Sequence, residues 1–285
     1  MEQSKHGGAA PDEDIRALYA RLDDLSAAAE RGELAMTAFL TPREAKYAKV
    51  RLSHRLSCGL AVCWGGYEEA ERVRMILLPD YAEGMVSQEA LSADPAAALA
   101  GAGLEELSNA LLAAVTALHI RGSGYRTLTH RDYLGSLMGT GLNRDAVGDV
   151  LVESDCSAVV ICGERMAAYL TDNLEKVGAD TVKVGRLPAG ERPQARRLTQ
   201  PIQDTVASER LDCVVAALCN LSRDKAQTLI RGGLCELEYE PVQDCDRTVE
   251  PPAVLSVRGY GKYRIDTLGD KTRKGRLRLL AVRYI

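Results

Sequence analysis

The sequence predicts an α+β protein built from three successive regions. Residues 1–80 show helical spacing of apolar residues and then two strand-like segments, which indicates N-terminal helices followed by a hairpin. Residues 81–188 read in the order β-α-β-β-α-β. Residues 205–285 begin with two short helices and continue into a small antiparallel sheet. Together these three patterns predict the α+β class.

The first region starts with a helix whose apolar residues recur at helical spacing: Ile15, Leu18, Leu22 and Leu25. Thr41, Pro42 and Glu44 then have the arrangement of an N-cap, a first helical residue and the closing residue of a capping box. Segments 58–67 and 72–80 are rich in strand-forming residues, and GGYEEAER supplies the turn between them. A second helix and a hairpin are therefore predicted.

The second region follows a segment at 87–104 that reads as a linker. The predicted elements are a strand near 112–121, a helix near 131–139, strands at 149–153 and 157–162, a helix at 164–178 and a strand at 181–187. The hairpin turn falls at 154–156, and Gly178 is expected to stop the last helix. This order is that of RRM-like, split βαβ domains, although no aromatic RNP motif marks the strands.

The third region follows a Pro- and Arg-containing linker at 187–201. Its first helix has an apolar stripe formed by Leu211, Val214, Val215 and Leu218. Ser222 is placed to cap a second helix, Gly232 and Gly233 end it, and its inward residues are Ala226, Leu229 and Ile230. On that helix, residues four apart line one side: Arg223, Gln227 and Arg231. A row of long hydrogen-bond donors suits a sugar-phosphate backbone.

The composition is that of a soluble globular chain, with 285 residues, 46% hydrophobic and 27% charged. The acidic N-terminus lacks the basic and apolar regions of a signal peptide. The longest apolar stretch, at 109–120, is shorter than the ~20 residues that a membrane span needs. We therefore expect a cytoplasmic protein without a membrane partner.

Charge is unevenly distributed along the chain. The net charge is −4, yet from Arg186 onward 18 Lys and Arg face 13 Asp and Glu. From Leu255 onward there are 9 basic and 2 acidic residues. A basic tail on an acidic chain favours an anionic partner, with nucleic acid first among the candidates and a solvated surface as the alternative.

Eight cysteines occur without a Cys-x-x-Cys spacing: Cys58, Cys63, Cys156, Cys162, Cys213, Cys219, Cys235 and Cys245. Metal clips need two to four intervening residues, so that both thiolates face one ion. Several of these cysteines have apolar neighbours, which is typical of reduced thiols in a core. No metal site and no cofactor are expected.

The third region resembles the S4 RNA-binding domain, whose signature runs Arg-Leu-Asp and then Ser-Arg-x-x-Ala-x-x-Leu-Ile-x-x-Gly. The matching residues are Arg210, Leu211, Asp212, Ser222, Arg223, Ala226, Leu229, Ile230 and Gly233. The chemistry expected of this face is phosphate neutralisation, for which the planar fork of Arg is suited. The candidate RNA-binding residues are Arg210, Ser222, Arg223, Lys225, Gln227, Arg231, Arg258, Lys262, Arg264, Lys271, Arg273, Lys274 and Arg276. Tyr260 and Tyr263 are further candidates for stacking.

The segment 129–149, THRDYLGSLMGTGLNRDAVGD, raises an enzymatic alternative because His130, Arg131 and Asp132 spell the catalytic loop of a protein kinase. A kinase needs Asn where Leu137 stands, and the chain lacks a G-x-G-x-x-G loop. A pseudouridine-synthase-like enzyme using Asp132 stays as the alternative function. The other interpretation is a capped helix: Thr129 as N-cap, Asp132 in the first turn, and His130, Arg131 and Arg144 as further candidate RNA contacts.

The chain as a whole resembles the bacterial YlmH-type proteins of ribosome-associated quality control. The resemblance rests on FLTPRE at 39–44, GGYEEAER at 65–72, LTHRDYLGSLMGTGLNRDAVGDV at 128–150, the S4 signature, VRGYGKYRI at 257–265 and TRKGR at 272–276. It implies a non-enzymatic RNA-binding factor, with no catalytic residues, on the large ribosomal subunit carrying obstructed peptidyl-tRNA. It also implies contacts with ribosomal RNA and tRNA, and support for alanine tailing by an RqcH-type factor. Off the ribosome, we expect a monomer.

Overall fold

The computed structural model describes residues 12–188, 191, 193, 199–273 and 275–284. The chain folds into two compact units, Met1–Arg196 and Arg197–Ile285. Helices and antiparallel sheets alternate along the chain, and the predicted α+β class is confirmed. The finer predicted boundaries, 1–80, 81–188 and 205–285, stay predictions. Among the described residues, no helix has both the length and the apolar character needed to cross a membrane.

The first unit opens with helices packed on a three-stranded sheet. The elements are α1 Glu13–Glu30, β1 Ala35–Met36, α2 Pro42–Arg51, α3 Ser53–Ser57, β2 Ala61–Trp64 and β3 Arg74–Leu77, and the strand order is β1-β3-β2. The predicted capping box is confirmed, because the Glu44 N–H donates to Thr41 Oγ1 and Glu44 accepts from the Thr41 N–H at 2.7 Å. Ile15, Leu18 and Leu22 are buried, as their spacing predicts.

Three further helices cover the opposite face of this sheet: α4 Gln88–Ala93, α5 Pro95–Gly101 and α6 Glu105–Ala114. The prediction that residues 87–104 form a linker is therefore wrong. Leu91 and Leu99 are fully buried against Val62 and Ile76 of the sheet, and this burial stabilises helices that are too short to persist alone.

The remainder of the first unit is a four-stranded antiparallel sheet with two helices. Its elements are β4 Thr116–Arg121, α7 His130–Gly139, β5 Val147–Ser154, β6 Ser157–Cys162, α8 Glu164–Asn173, β7 Lys176–Val177, β8 Asp180–Thr181 and β9 Lys183–Arg186. The strand order is β5-β6-β4-β9, while β7 and β8 form a separate hairpin. Along the chain these elements follow the order β-α-β-β-α-β, with the β7–β8 hairpin added before the last strand.

The end of α8 differs from the prediction. The helix stops at Asn173, and residues as far as Gly178 are not helical, because Lys176 and Val177 pair with Thr181 and Asp180. Gly178 has a φ of +58° and lies in the turn of that hairpin, not at the end of the helix. The prediction that Gly178 ends this helix is therefore wrong.

The two faces of the four-stranded sheet have different partners. On one face, Leu118 and Val160 pack against α7 and α8. On the other face, Val159 and Ile161 pack against Phe39. The N-terminal part of the unit thus covers part of the sheet face that RRM domains use for stacking bases.

Asp149 joins the segments on which the family resemblance rests. Its carboxylate accepts hydrogen bonds from the Tyr67 hydroxyl at 2.7 Å, the Glu71 N–H at 2.7 Å and the Arg72 N–H at 3.1 Å. Arg72 in turn donates to the carbonyl oxygens of Phe39, Arg144 and Val147. GGYEEAER and NRDAVGDV are thereby tied together by one half-buried carboxylate.

The second unit is a helix pair on one six-stranded antiparallel sheet. Its elements are β10 Thr199–Val206, α9 Leu211–Leu218, α10 Arg223–Arg231, β11 Cys235–Leu237, β12 Glu240–Val242, β13 Ala253–Val257, β14 Gly261–Lys271 and β15 Leu277–Tyr284. The strand order is β10-β15-β14-β13-β11-β12. The sheet is larger than predicted, since the last residues of the predicted linker at 187–201 belong to β10.

We expect Asp149→Asn to lower the free energy of unfolding by about 1–3 kcal/mol, because an amide nitrogen would face hydrogen-bond donors that the carboxylate now satisfies. Urea denaturation followed by circular dichroism measures this change. Asp155→Asn, an exposed acidic position in the β5–β6 turn, is the matched control and should leave stability unchanged. Equal stability of both variants would contradict the role given to Asp149.

Candidate nucleic-acid interface

The helix pair of the second unit forms as its sequence predicts. Leu211, Val214, Val215 and Leu218 are buried, together with Ala226 and Ile230. The Ser222 side chain accepts a hydrogen bond from the Lys225 N–H, which caps α10, and Gly233 follows the helix with a φ of +68°. The long polar side chains of α10 therefore stand on a firmly packed helix.

A buried carboxylate organises these side chains. Asp212 is fully buried, and it accepts hydrogen bonds from Arg210 at 3.0 Å, from Arg223 at 3.0 Å and from Gln227 Nε2 at 2.7 Å. Arg210 also pairs with Asp246. Asp212 thus links the N-terminus of α9 to the outer row of α10.

The protonation of Asp212 follows from two opposed effects. Burial raises the pKa of its carboxyl, but the hydrogen bonds from Arg210, Arg223 and Gln227 outweigh burial and hold that pKa well below its usual range. The carboxylate is therefore ionised at any physiological pH. It neutralises part of the charge of the two arginines and fixes the direction of their guanidinium groups.

The predicted row on α10 is only partly directed outward. The Arg223 side chain is 52% exposed although it is bound to Asp212, whereas Gln227 is half-buried. Lys225 and Arg231 are exposed, and Arg231 contacts Gln227 at 3.4 Å. Four exposed residues of α10 and its N-cap, namely Ser222, Arg223, Lys225 and Arg231, are together called the helical surface; the acidic Asp224 is exposed on the same helix.

Two other predicted residues, Lys262 and Arg264, lie on the face of the sheet that points away from the helices. Tyr263 and Ile265 of β14 point into the core beneath the helices, so the alternating residues Lys262 and Arg264 lie on the opposite face. Lys262 Nζ lies 5.1 Å from the centre of the Tyr239 ring and 5.7 Å from that of Tyr284. The structure does not bring the predicted cations together on one surface.

Tyr263 is 1% exposed, so the prediction that it stacks on a base or sugar is wrong. Period-two alternation places its ring in the core, next to Cys219. Tyr260 is half-buried against the same core. Its neighbour Arg258 is exposed, and the Arg258 N–H donates to Leu234 just after α10. A cleft of about 440 Å³ at this point is lined in part by Arg258 and Lys262.

The β14–β15 turn carries another group of predicted residues. Lys271, Arg273 and Arg276 are exposed, while Lys274 lies outside the described residues. Arg276 Nε donates to Thr205 Oγ1 at 2.9 Å, which ties the turn to β10. Sequence reasoning did not single out Arg278, which is exposed on β15. The strand register, unknown from sequence, is what places it beside Thr205.

The three candidates in the first unit have different surroundings. Arg144 Nη1 donates to the carbonyl oxygens of Val147 and Gly148, and burial lowers the pKa of Arg144 to about 10. That side chain supports the turn before β5. His130 and Arg131 are exposed at the start of α7.

Asp132 closes a capping box, in which its carboxylate accepts from the Thr129 N–H at 2.8 Å and from the Thr129 hydroxyl at 2.6 Å. These hydrogen bonds lower the pKa of Asp132. Within the described ranges, no three His, Cys, Asp or Glu side chains are placed to hold a metal ion. The eight cysteines are free thiols, and burial raises the pKa of Cys162 to about 12.

We expect Asp212→Asn to lower the free energy of unfolding by about 1–3 kcal/mol at neutral pH, because the guanidinium groups of Arg210 and Arg223 lose their anionic partner. Solvent weakens the interaction of these partly exposed arginines with Asp212, which limits the size of the effect. The folded-state pKa of Asp212 lies below the unfolded value of about 3.9. Its contribution is therefore present at neutral pH and is lost as the pH falls below about 4. Urea denaturation of the full chain across this range measures both effects.

The exposed Asp224, in the first turn of α10, supplies the control Asp224→Asn. That variant should lose at most the roughly 0.3–1 kcal/mol that an exposed carboxylate near a helix N-terminus contributes, which is less than the loss expected for Asp212→Asn. A stability difference between wild type and Asp212→Asn that does not shrink in acid would contradict the assignment.

Known proteins resemble this chain at several levels. The family model described as "YlmH, N-terminal" matches residues 13–82, and the model described as "Putative RNA-binding domain in YlmH" matches residues 115–191. "Ribosome-associated protein quality control protein P2" from Bacillus subtilis (strain 168) is 29% identical over 251 residues, covering 88% of this chain and 87% of that protein. The solved structure "Cell division protein ylmH from Streptococcus pneumoniae" is 17% identical, with a TM-score of 0.46, and covers 66% of this chain and 99% of its own.

The two family models describe successive parts of one kind of protein, and they match here in the same order. The Bacillus relative aligns over most of both chains, so the similarity is not confined to a single domain. The chain belongs to the YlmH family.

Proposed function

We propose that this protein is an RNA-binding factor of ribosome-associated quality control. The observation that carries the proposal is the helical surface, where Lys225 and Arg231 are exposed and Asp212 holds the Arg223 side chain in place. Guanidinium and ammonium groups exposed along one helix suit the negative charge of a phosphate backbone. The match of residues 115–191 to a family model described as RNA-binding supports the proposal independently.

The ribosomal setting comes from the relative named as a ribosome-associated quality control protein. We propose that this chain acts in the cytoplasm on the large subunit carrying obstructed peptidyl-tRNA. It would contact ribosomal RNA and tRNA there, and support alanine tailing by an RqcH-type factor. The resemblance of several separate segments to YlmH-type proteins supports this more detailed role.

The protein acts in this proposal by binding and not by catalysis. The enzymatic alternative needs Asp132 as a nucleophile or general acid, and such groups have pKa values matched to their task. One carboxylate oxygen of Asp132 instead accepts both hydrogen bonds from Thr129, and these bonds lower the pKa of Asp132. A carboxylate that stays ionised is favourable at the N-terminus of a helix. Modified uridine in ribosomal RNA after incubation with the protein would favour the alternative.

We expect Lys225→Ala with Arg231→Ala to weaken binding of ribosomal RNA. Each lost phosphate contact should also reduce the slope of log affinity against log salt by ~0.7–0.9. Fluorescence-detected titrations at several salt concentrations measure both quantities. Arg223 is left intact in this variant, because its replacement would also disturb Asp212 and thus the fold.

The control removes two exposed lysines from a different helix, Lys46→Ala with Lys49→Ala on α2. It should leave affinity and salt slope as in the wild type. If the α10 variant and the control behave alike, the helical surface does not bind RNA.

A further inference from the structure

One tyrosine of the first unit is almost fully exposed to solvent. Tyr125 is 93% exposed and lies in the loop between β4 and α7, residues 122–129. Single exposed apolar side chains are common on protein surfaces, so exposure alone indicates nothing. What distinguishes Tyr125 is the way its loop is held and the charge of the residues beside it.

The loop is fixed at both of its ends. The N–H groups of Gly122 and Leu128 donate to the carbonyl oxygens of Cys156 and Asp155 in the β5–β6 turn, each at 2.6 Å. Between these points, the Ser123 N–H donates to the buried carboxylate of Asp180 at 2.9 Å, and the Ser123 hydroxyl donates to the same group at 2.5 Å. A Cβ on Gly122 would lie 2.5 Å from Asp180 Oδ2, so the packing there requires glycine.

The segment around the loop is cationic. RGSGYRTLTHR, residues 121–131, contains three arginines, one histidine and no acidic residue. Arg126 and Arg131 are exposed. The nearest carboxylates are already used, since Asp180 binds Ser123 and Asp132 binds Thr129. Their hydrogen bonds lower the pKa of both groups and leave few acceptors for the arginines.

The sheet itself offers no comparable aromatic platform. Its outer face is covered in part by Phe39 against Val159 and Ile161. The uncovered part is polar, with His119 lying 3.3 Å from Glu153 and accepting from Arg121 at 3.1 Å. Next to this sheet, the highly exposed aromatic ring therefore lies in the loop and not on the strands.

We propose that the loop at 122–129 binds an unpaired RNA nucleotide, with the Tyr125 ring stacked on the base and with Arg126 and Arg131 neutralising the adjacent phosphates. An aromatic ring beside arginines suits single-stranded RNA, because every base offers a π-face and each phosphate a charge. A held loop loses little conformational entropy on binding. The proposal rests on the proposed function, to which it adds a binding site for single-stranded RNA in the first unit.

The test compares two probes, a fluorescein-labelled oligouridylate and a fully paired RNA duplex, with the full-length protein. Tyr125→Ala should weaken binding of oligouridylate about 5- to 150-fold, the range measured for loss of one stacked base. It should leave duplex binding unchanged, because paired bases are already stacked. Tyr125→Phe keeps the ring and should bind both probes like the wild type.

Tyr81→Ala is the matched control, since Tyr81 is 59% exposed and lies in the N-terminal part of the same unit. It should bind both probes like the wild type. Because the Tyr125 side chain lies in solvent, Tyr125→Ala should also keep the wild-type melting temperature. A changed affinity would then reflect lost stacking and not unfolding.

Unchanged binding of oligouridylate by Tyr125→Ala would overturn the proposal, as would an equal loss for both probes. Loss of co-sedimentation with ribosomes, with oligouridylate affinity intact, would assign the loop to a protein partner and also overturn it. The α10 variant Lys225→Ala with Arg231→Ala separates the two proposals. If the α10 variant weakens RNA binding while Tyr125→Ala does not, only the proposed loop site is contradicted. If the wild-type protein binds neither probe, the loop site and the proposed function are both contradicted.

Discussion

The second unit depends on one buried charge. Asp212 has no exposed surface, and a carboxylate is tolerated in that position only because Arg210, Arg223 and Gln227 donate to it. The same hydrogen bonds hold α9 to α10 and orient the arginines toward the surface. A residue in the core thus orients Arg223 within the helical surface. Replacing Arg223 is therefore expected to lower stability as well as to affect the proposed RNA contact, whereas Lys225 and Arg231 are not among the donors to Asp212.

In the first unit, two carboxylates likewise accept several hydrogen bonds from neighbouring segments of the chain. Asp149 accepts three hydrogen bonds from the segment 67–72, and Asp180 accepts two from Ser123. In each case a carboxylate satisfies backbone N–H groups of a loop that has no strand partner, and so fixes the loop without a regular element. The segments that carry the family resemblance include residues with this structural role, which explains why they are not all surface residues.

Much of the fold could be predicted from sequence because its signals are local. Local spacing predicts the capping box of Thr41, the N-cap Thr129, the apolar stripe of α9 and the β-α-β-β-α-β order. The helices at 88–101 were missed, since burial against a distant sheet stabilises them and not their own propensity. The site was predicted less fully. The division of cations between two sheet faces and the burial of Tyr263 depend on strand register, which a single sequence does not specify.

In the proposed function, the helical surface of α10 lies against ribosomal RNA. Ultraviolet crosslinking of the full-length protein to large ribosomal subunits, followed by mass spectrometry of the crosslinked peptides, tests it most directly. RNA adducts are expected on peptides from residues 222–233, and they should be lost on competition with free ribosomal RNA and weakened by salt. Adducts confined to other segments, with residues 222–233 recovered unmodified, would contradict it.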